Sequence, residues 1–94
     1  MTAVFYAARA LADIERLTDF LLATDEKAAA VTGEILFDAI AHLARHPLVG
    51  RIVEHGLREL VISRGRTGYA ALYRFDAAHD QLIVLAIRHQ RELD

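Results

Sequence analysis

The 94-residue sequence predicts an α+β domain of two layers, a helix hairpin packed on a mainly antiparallel four-stranded sheet in the order β-α-α-β-β-β. Three observations carry this prediction. The segment Ala3-Val4-Phe5-Tyr6 is short, apolar and bulky. Two long stretches follow in which apolar residues recur every three or four positions. Beyond Gly56 the period falls to two, and aromatic and β-branched residues become frequent.

The opening four residues are read as a strand. From Ala8 to about Ala23, Leu11, Ile14, Leu17 and Leu21 form a helical stripe, and Arg9, Asp13, Arg16 and Asp19 are assigned to the solvent side. The run Ala23-Thr24-Asp25-Glu26-Lys27 breaks the pattern, and Thr24 or Asp25 is suited to cap the next helix. That helix is expected from about Asp25 to Arg45. Ala28, Val31, Ile35, Ala39 and Leu43 make its stripe, broadened by Leu36 and Ile40. Gly33 weakens it by roughly 1 kcal/mol against alanine. Pro47 ends it, because the residue before a proline is pushed out of the helical region, and Gly50 marks a turn beyond. A connection of a few residues makes the two helices antiparallel neighbours.

Three strands in a meander follow: Leu57 to Ser63, Tyr69 to Phe75 and Gln81 to Ile87, joined by turns at Arg64–Gly68 and Asp76–Asp80. By alternation, Tyr69, Ala71, Tyr73 and Phe75 share one face of the middle strand, opposite Ala70, Leu72 and Arg74. In the last strand Ile83, Leu85, Ile87 and His89 alternate with Leu82, Val84, Ala86 and Arg88. The length suits one domain, 1–94.

Composition excludes several functions. With 54% hydrophobic residues the chain has ample surface to bury, so disorder is not expected. No cysteine is present, which removes disulfides, thiolate metal sites and a cysteine nucleophile. Met1 to Ala10 lacks the basic and apolar regions of a signal peptide, and no apolar run is long enough to span a membrane, so a cytoplasmic location is expected. The net charge is −2, where a protein held on nucleic acid by phosphate contacts shows a basic excess. Charge is uneven, at −3 up to Gly50 and +1 after it. All the cations except Lys27 are arginines, the residue suited to planar contacts with carboxylate or phosphate.

Two constellations can carry chemistry. Glu34, Asp38, His42 and His46 stand at steps of four, the spacing at which two imidazoles share a metal. The same residues read as a solvated helix face with histidines favoured at its C-terminus, and no metal or cofactor is expected. Arg58, Arg74, Arg88, His89 and Arg91 fall in or just after the meander, where a sheet can gather several at one surface. On a phosphodiester, arginines would stabilise the developing charge and His89 would transfer a proton, giving metal-free RNA cleavage. Equally, Arg58 and Arg74 read as edge charges paired with Glu59, Glu54 or Asp76. Tyr69 and Tyr73 can stack bases or fill a core. Arg64-Gly65-Arg66-Thr67-Gly68 lacks the phosphate-cradle pattern and reads as a hairpin loop.

Taken in order, Ala10-Leu11-Ala12-Asp13-Ile14, Pro47-Leu48-Val49-Gly50-Arg51, Leu57-Arg58-Glu59-Leu60, Tyr69-Ala70-Ala71-Leu72-Tyr73-Arg74 and Ile83 to His89 resemble the RelE/ParE superfamily of type II toxin-antitoxin toxins. Its members are often called plasmid stabilisation proteins. The resemblance implies the same β-α-α-β-β-β layout and a growth-inhibiting protein neutralised by a cognate antitoxin. RelE-like members are ribosome-dependent mRNA endonucleases, whereas ParE-like members poison DNA gyrase without a hydrolytic site. In a RelE-like reading Arg58, Arg74, His89 and Arg91 are the catalytic set. The absence of a tyrosine after Tyr73, the single lysine and the late Arg-His pair favour the ParE-like reading. Gyrase is then the expected target, with ribosome and mRNA as the alternative, and a non-toxic antitoxin-binding domain as a third reading. The exposed edge of the first meander strand and the helix hairpin are the expected docking modes for the antitoxin.

Overall fold

The two amphipathic stretches fold as α1 (Ala8–Thr24) and α2 (Glu26–Arg45), with only Asp25 between them. In the computed structural model, which describes residues 1–64 and 67–89, the Asp25 carboxylate caps α2. Its Oδ1 accepts from the Lys27 and Ala28 backbone N–H groups at 3.0 and 3.1 Å, satisfying two of the donors a helix start leaves open. Thr24, the other cap candidate, instead donates its hydroxyl back to the Phe20 and Leu21 carbonyls. At the far end α2 stops at Arg45, and His46 before Pro47 leaves the helical region as expected. The helices pack on each other and on one face of the sheet. Among the described residues no helix is long and apolar enough to cross a membrane.

The sheet contains β1 (Ala3–Tyr6), β2 (Arg51–Ile52), β3 (Arg58–Arg64), β4 (Thr67–Asp76) and β5 (Gln81–His89), in the spatial order β1-β5-β4-β3-β2. β3, β4 and β5 form the antiparallel meander, and β1 lies parallel to β5, with Ala3 opposite Gln81 and Tyr6 opposite Val84. The α+β class and element order agree with the sequence; the strand count does not. Arg51 and Ile52 pair with Glu59 and Arg58, making a fifth strand too short to show any period. That pairing also covers the outer edge of β3 at Arg58 and Glu59, where the sequence suggested an open edge.

The core lies between the helices and the sheet, with Tyr73, Leu82, Val84, Ile87 and Leu43 fully enclosed. Three side-chain assignments are corrected. On α2 the buried line is Ala29, Thr32, Leu36, Ile40 and Leu43, a rotation that leaves Val31 and Ile35 half-buried on its flank. On α1, Leu11 is 55% exposed while Asp13, assigned to solvent, is buried. The cause is the sheet edge. β1 ends at Tyr6, opposite Val84, so among the described residues β5 has no strand on that side beyond Val84, and the Asp13 carboxylate accepts the Ile87 N–H at 3.0 Å instead. Arg9 and Arg16, on the same helix, lie at 3.9 and 3.4 Å from that carboxylate and compensate its charge.

The third correction concerns β5. Tyr73 faces Val84, yet Leu72 faces Ala86, so Leu85 is an extra residue in a β-bulge. Strict alternation puts Ile83, Leu85 and Ile87 on one face. The bulge changes the parity, so Leu82 and Val84 before it and Ile87 after it all reach the core.

Candidate functional site

Strand register determines where the proposed catalytic residues point, because directly opposed residues project to the same face. Arg58 is opposite Tyr73, on the side facing the helices. Its Nη1 donates to the Leu48 and Gly50 carbonyls at 3.1 and 2.8 Å, rather than to Glu59 or Glu54. Glu59 pairs with Arg51, Nη2 to Oε1 at 2.6 Å. Arg74 is opposite Ile83 on the other face, exposed, beside Phe5, Asp76 and Gln81. Arg88 is opposite Ala70 on that same open face. His89 returns to the helix-facing side opposite Tyr69, and the two rings meet edge to face at 5.2 Å between centroids.

Arg58 and His89 thus flank Tyr73 and Tyr69, about 13 Å apart along β4 at roughly 3.3 Å per residue. Arg74 lies on the opposite side of the sheet. Arg58, Arg74 and His89 are therefore not brought together at one point. Arg91, the fourth member of that set, lies outside the described residues, as does part of the Arg64–Gly68 turn. Tyr69 and Tyr73 are 4% and 0% exposed, so they fill the core instead of offering stacking faces.

A different constellation is built around Tyr73. Its hydroxyl accepts the Gly50 N–H at 2.8 Å and donates to the Pro47 carbonyl at 2.8 Å. Burial pushes this phenol above its ordinary 10, against smaller opposing effects of the Gly50 N–H and the Arg58 charge. A Cβ at position 50 would stand 2.6 Å from the Tyr73 ring and hydroxyl, so only glycine allows this approach. With Arg58 gripping two carbonyls, residues 47–50 are fastened to the sheet from both sides. Periodicity marked Gly50 as a turn and Tyr73 as core, but it carries no sign that the two meet.

The fastened loop and the end of α2 border a mostly apolar groove of about 720 Å³, lined by His42, Arg45, His46, Leu48, Val49 and Phe75. The His42 and His46 rings are 4.8 Å apart and tilted at 46°. Glu34 and Asp38 do not join them: among the described residues no three His, Cys, Asp or Glu side chains form a group able to hold a metal. At the β4–β5 turn the His79 ring nitrogen meets Asp76 Oδ2 at 2.7 Å, and this hydrogen bond is the main reason the Asp76 carboxyl is held below its ordinary 3.8.

A helix hairpin on a mixed sheet is an architecture that this chain shares with solved toxin-antitoxin structures. The family model described as "ParE toxin of type II toxin-antitoxin system, parDE" matches residues 4–94. The chain belongs to this family and is a type II toxin of the RelE/ParE superfamily. It is similar to Toxin RelE3 of Caulobacter vibrioides, 32% identical over 92 residues that make up 98% of each chain. Among solved structures it resembles the chromosomal ParDE system of P. aeruginosa, at 18% identity and a TM-score of 0.73 over 94% of this chain and 95% of the other. It also resembles the RelBE2 toxin-antitoxin complex of Mycobacterium tuberculosis, at 25% identity and a TM-score of 0.62 over 95% and 98%.

Proposed function

We propose that the chain is a growth-inhibiting toxin domain that acts in the cytoplasm by binding DNA gyrase and is held inactive by a cognate antitoxin. One observation carries the choice of target: Arg58 and Arg74 project from opposite faces of the sheet, and the Arg58 guanidinium is already engaged by two backbone carbonyls. Metal-free phosphodiester cleavage needs a proton carrier and charge-stabilising donors within hydrogen-bond reach of one phosphate. A binding toxin needs no such convergence. The net charge of −2 favours the same reading, since docking on ribosomal RNA draws on a basic surface. The antitoxin partner is supported by the solved relatives, which are themselves toxin-antitoxin systems.

The name of the Caulobacter vibrioides relative favours a second reading, a RelE-like endoribonuclease with Arg58, Arg74, His89 and Arg91 as its catalytic residues. The two readings separate within minutes of induction. Pulse-labelling of DNA and protein synthesis should show DNA synthesis falling first, with a DNA-damage response, and His89→Gln should leave toxicity intact. An early fall in protein synthesis with cut transcripts, abolished by His89→Gln, would replace gyrase with the ribosome.

A further inference from the structure

The groove at the end of α2 combines a rigid wall, an apolar lining and a rim that, among the described residues, has no carboxylate. The wall is the 47–50 loop, held by four hydrogen bonds with Tyr73 and Arg58. Despite that anchoring, Leu48 and Val49 are 60% and 46% exposed, and Phe75 beside them is half-buried. Adjacent apolar side chains held in the open on an ordered segment lose little further freedom when a partner covers them, which is the condition for a binding hot spot. The rim is formed by His42, Arg45 and His46. From Ala39 through Val53 the chain has no Asp or Glu, although the protein as a whole is acidic.

We propose that this groove receives the antitoxin, through a segment in which an apolar side chain is flanked by carboxylates. The apolar side chain covers Leu48, Val49 and Phe75. One carboxylate meets the Arg45 guanidinium, whose planar fork suits bidentate pairing, and another accepts from the imidazole N–H groups of His42 or His46. Nucleic acid fits poorly, because the lining is apolar and arginine supplies the rim's one permanent charge. The inference rests on the antitoxin partnership proposed above and adds its position and chemistry.

The probe is the product of the reading frame adjacent to the toxin gene, purified and titrated calorimetrically into the full-length chain. Leu48→Glu and Arg45→Glu each place a negative charge on an exposed position and should raise the Kd by about tenfold or more, with Leu48→Ala intermediate. Both variants should still arrest growth when expressed alone and should melt like the parent chain. Unchanged affinity in both charge variants would overturn the proposal. So would normal antitoxin affinity with lost toxicity, which would assign the groove to the toxin's target. If the parent chain arrests nothing but the variants still bind the antitoxin weakly, the docking site stands and the toxin reading fails.

Discussion

Tyr73 shows how one polar atom organises a region that hydrophobicity alone would leave loose. The ring is part of the core, and its hydroxyl, at the end of that ring, closes hydrogen bonds with both Gly50 and Pro47. Tyr73→Phe keeps the packing and removes both partners at once, leaving a buried N–H without its acceptor. The expected cost is about 1–3 kcal/mol in urea denaturation, the penalty for one unsatisfied buried group. A change well below that range would mean that water replaces the hydroxyl and that the loop is not fastened in this way. Asp13 makes the complementary point. A carboxylate among Arg9 and Arg16 reads as solvated from sequence, and nothing in helical periodicity announces that a sheet edge needs an acceptor there. The candidate catalytic residues were legible only in part for a related reason: arginine identity can be read from sequence, but the face each arginine occupies depends on strand register.

At the scale of elements, the helices were legible nearly to the residue because their signals are local. Asp25 caps, Pro47 terminates, and the apolar stripe selects a face, although the stripe was placed slightly out of phase. Strand existence was equally local, whereas the bulge was not, since inserting Leu85 leaves an apolar run that looks unbroken. The bulge makes a prediction that simple alternation does not. If Ile83, Leu85 and Ile87 shared a face, alanine at 85 and 87 would cost similar amounts. Ile87 is fully enclosed and Leu85 only half-buried, so Ile87→Ala should destabilise by about 2–5 kcal/mol and Leu85→Ala by clearly less. Equal losses in a denaturation series would remove the bulge from the solution structure.

For the whole molecule, the decisive contact joins parts of the chain that are distant in sequence. β1 pairs with β5, and just ahead of β1 the Thr2 hydroxyl donates to Asp80 Oδ1 at 2.7 Å, while its N–H donates to the Ala44 carbonyl at 3.0 Å. Thr2 therefore ties the end of α2, and with it the neighbourhood of the candidate groove, to the β4–β5 turn. The sequence marked Ala3–Tyr6 as a strand but could not name its partner, because a four-residue apolar run is compatible with any edge of the sheet. Thr2→Val keeps the shape of the side chain and deletes the hydroxyl, so it isolates this closure from packing. The expected result is a loss of about 0.5–1.5 kcal/mol, seen as a lower urea midpoint with an unchanged slope. An unchanged midpoint would show that the hydroxyl bond contributes nothing to closure. A reduced slope would show that the variant fails to bury the same surface, placing β1 and the end of α2 in a unit that opens separately from the meander.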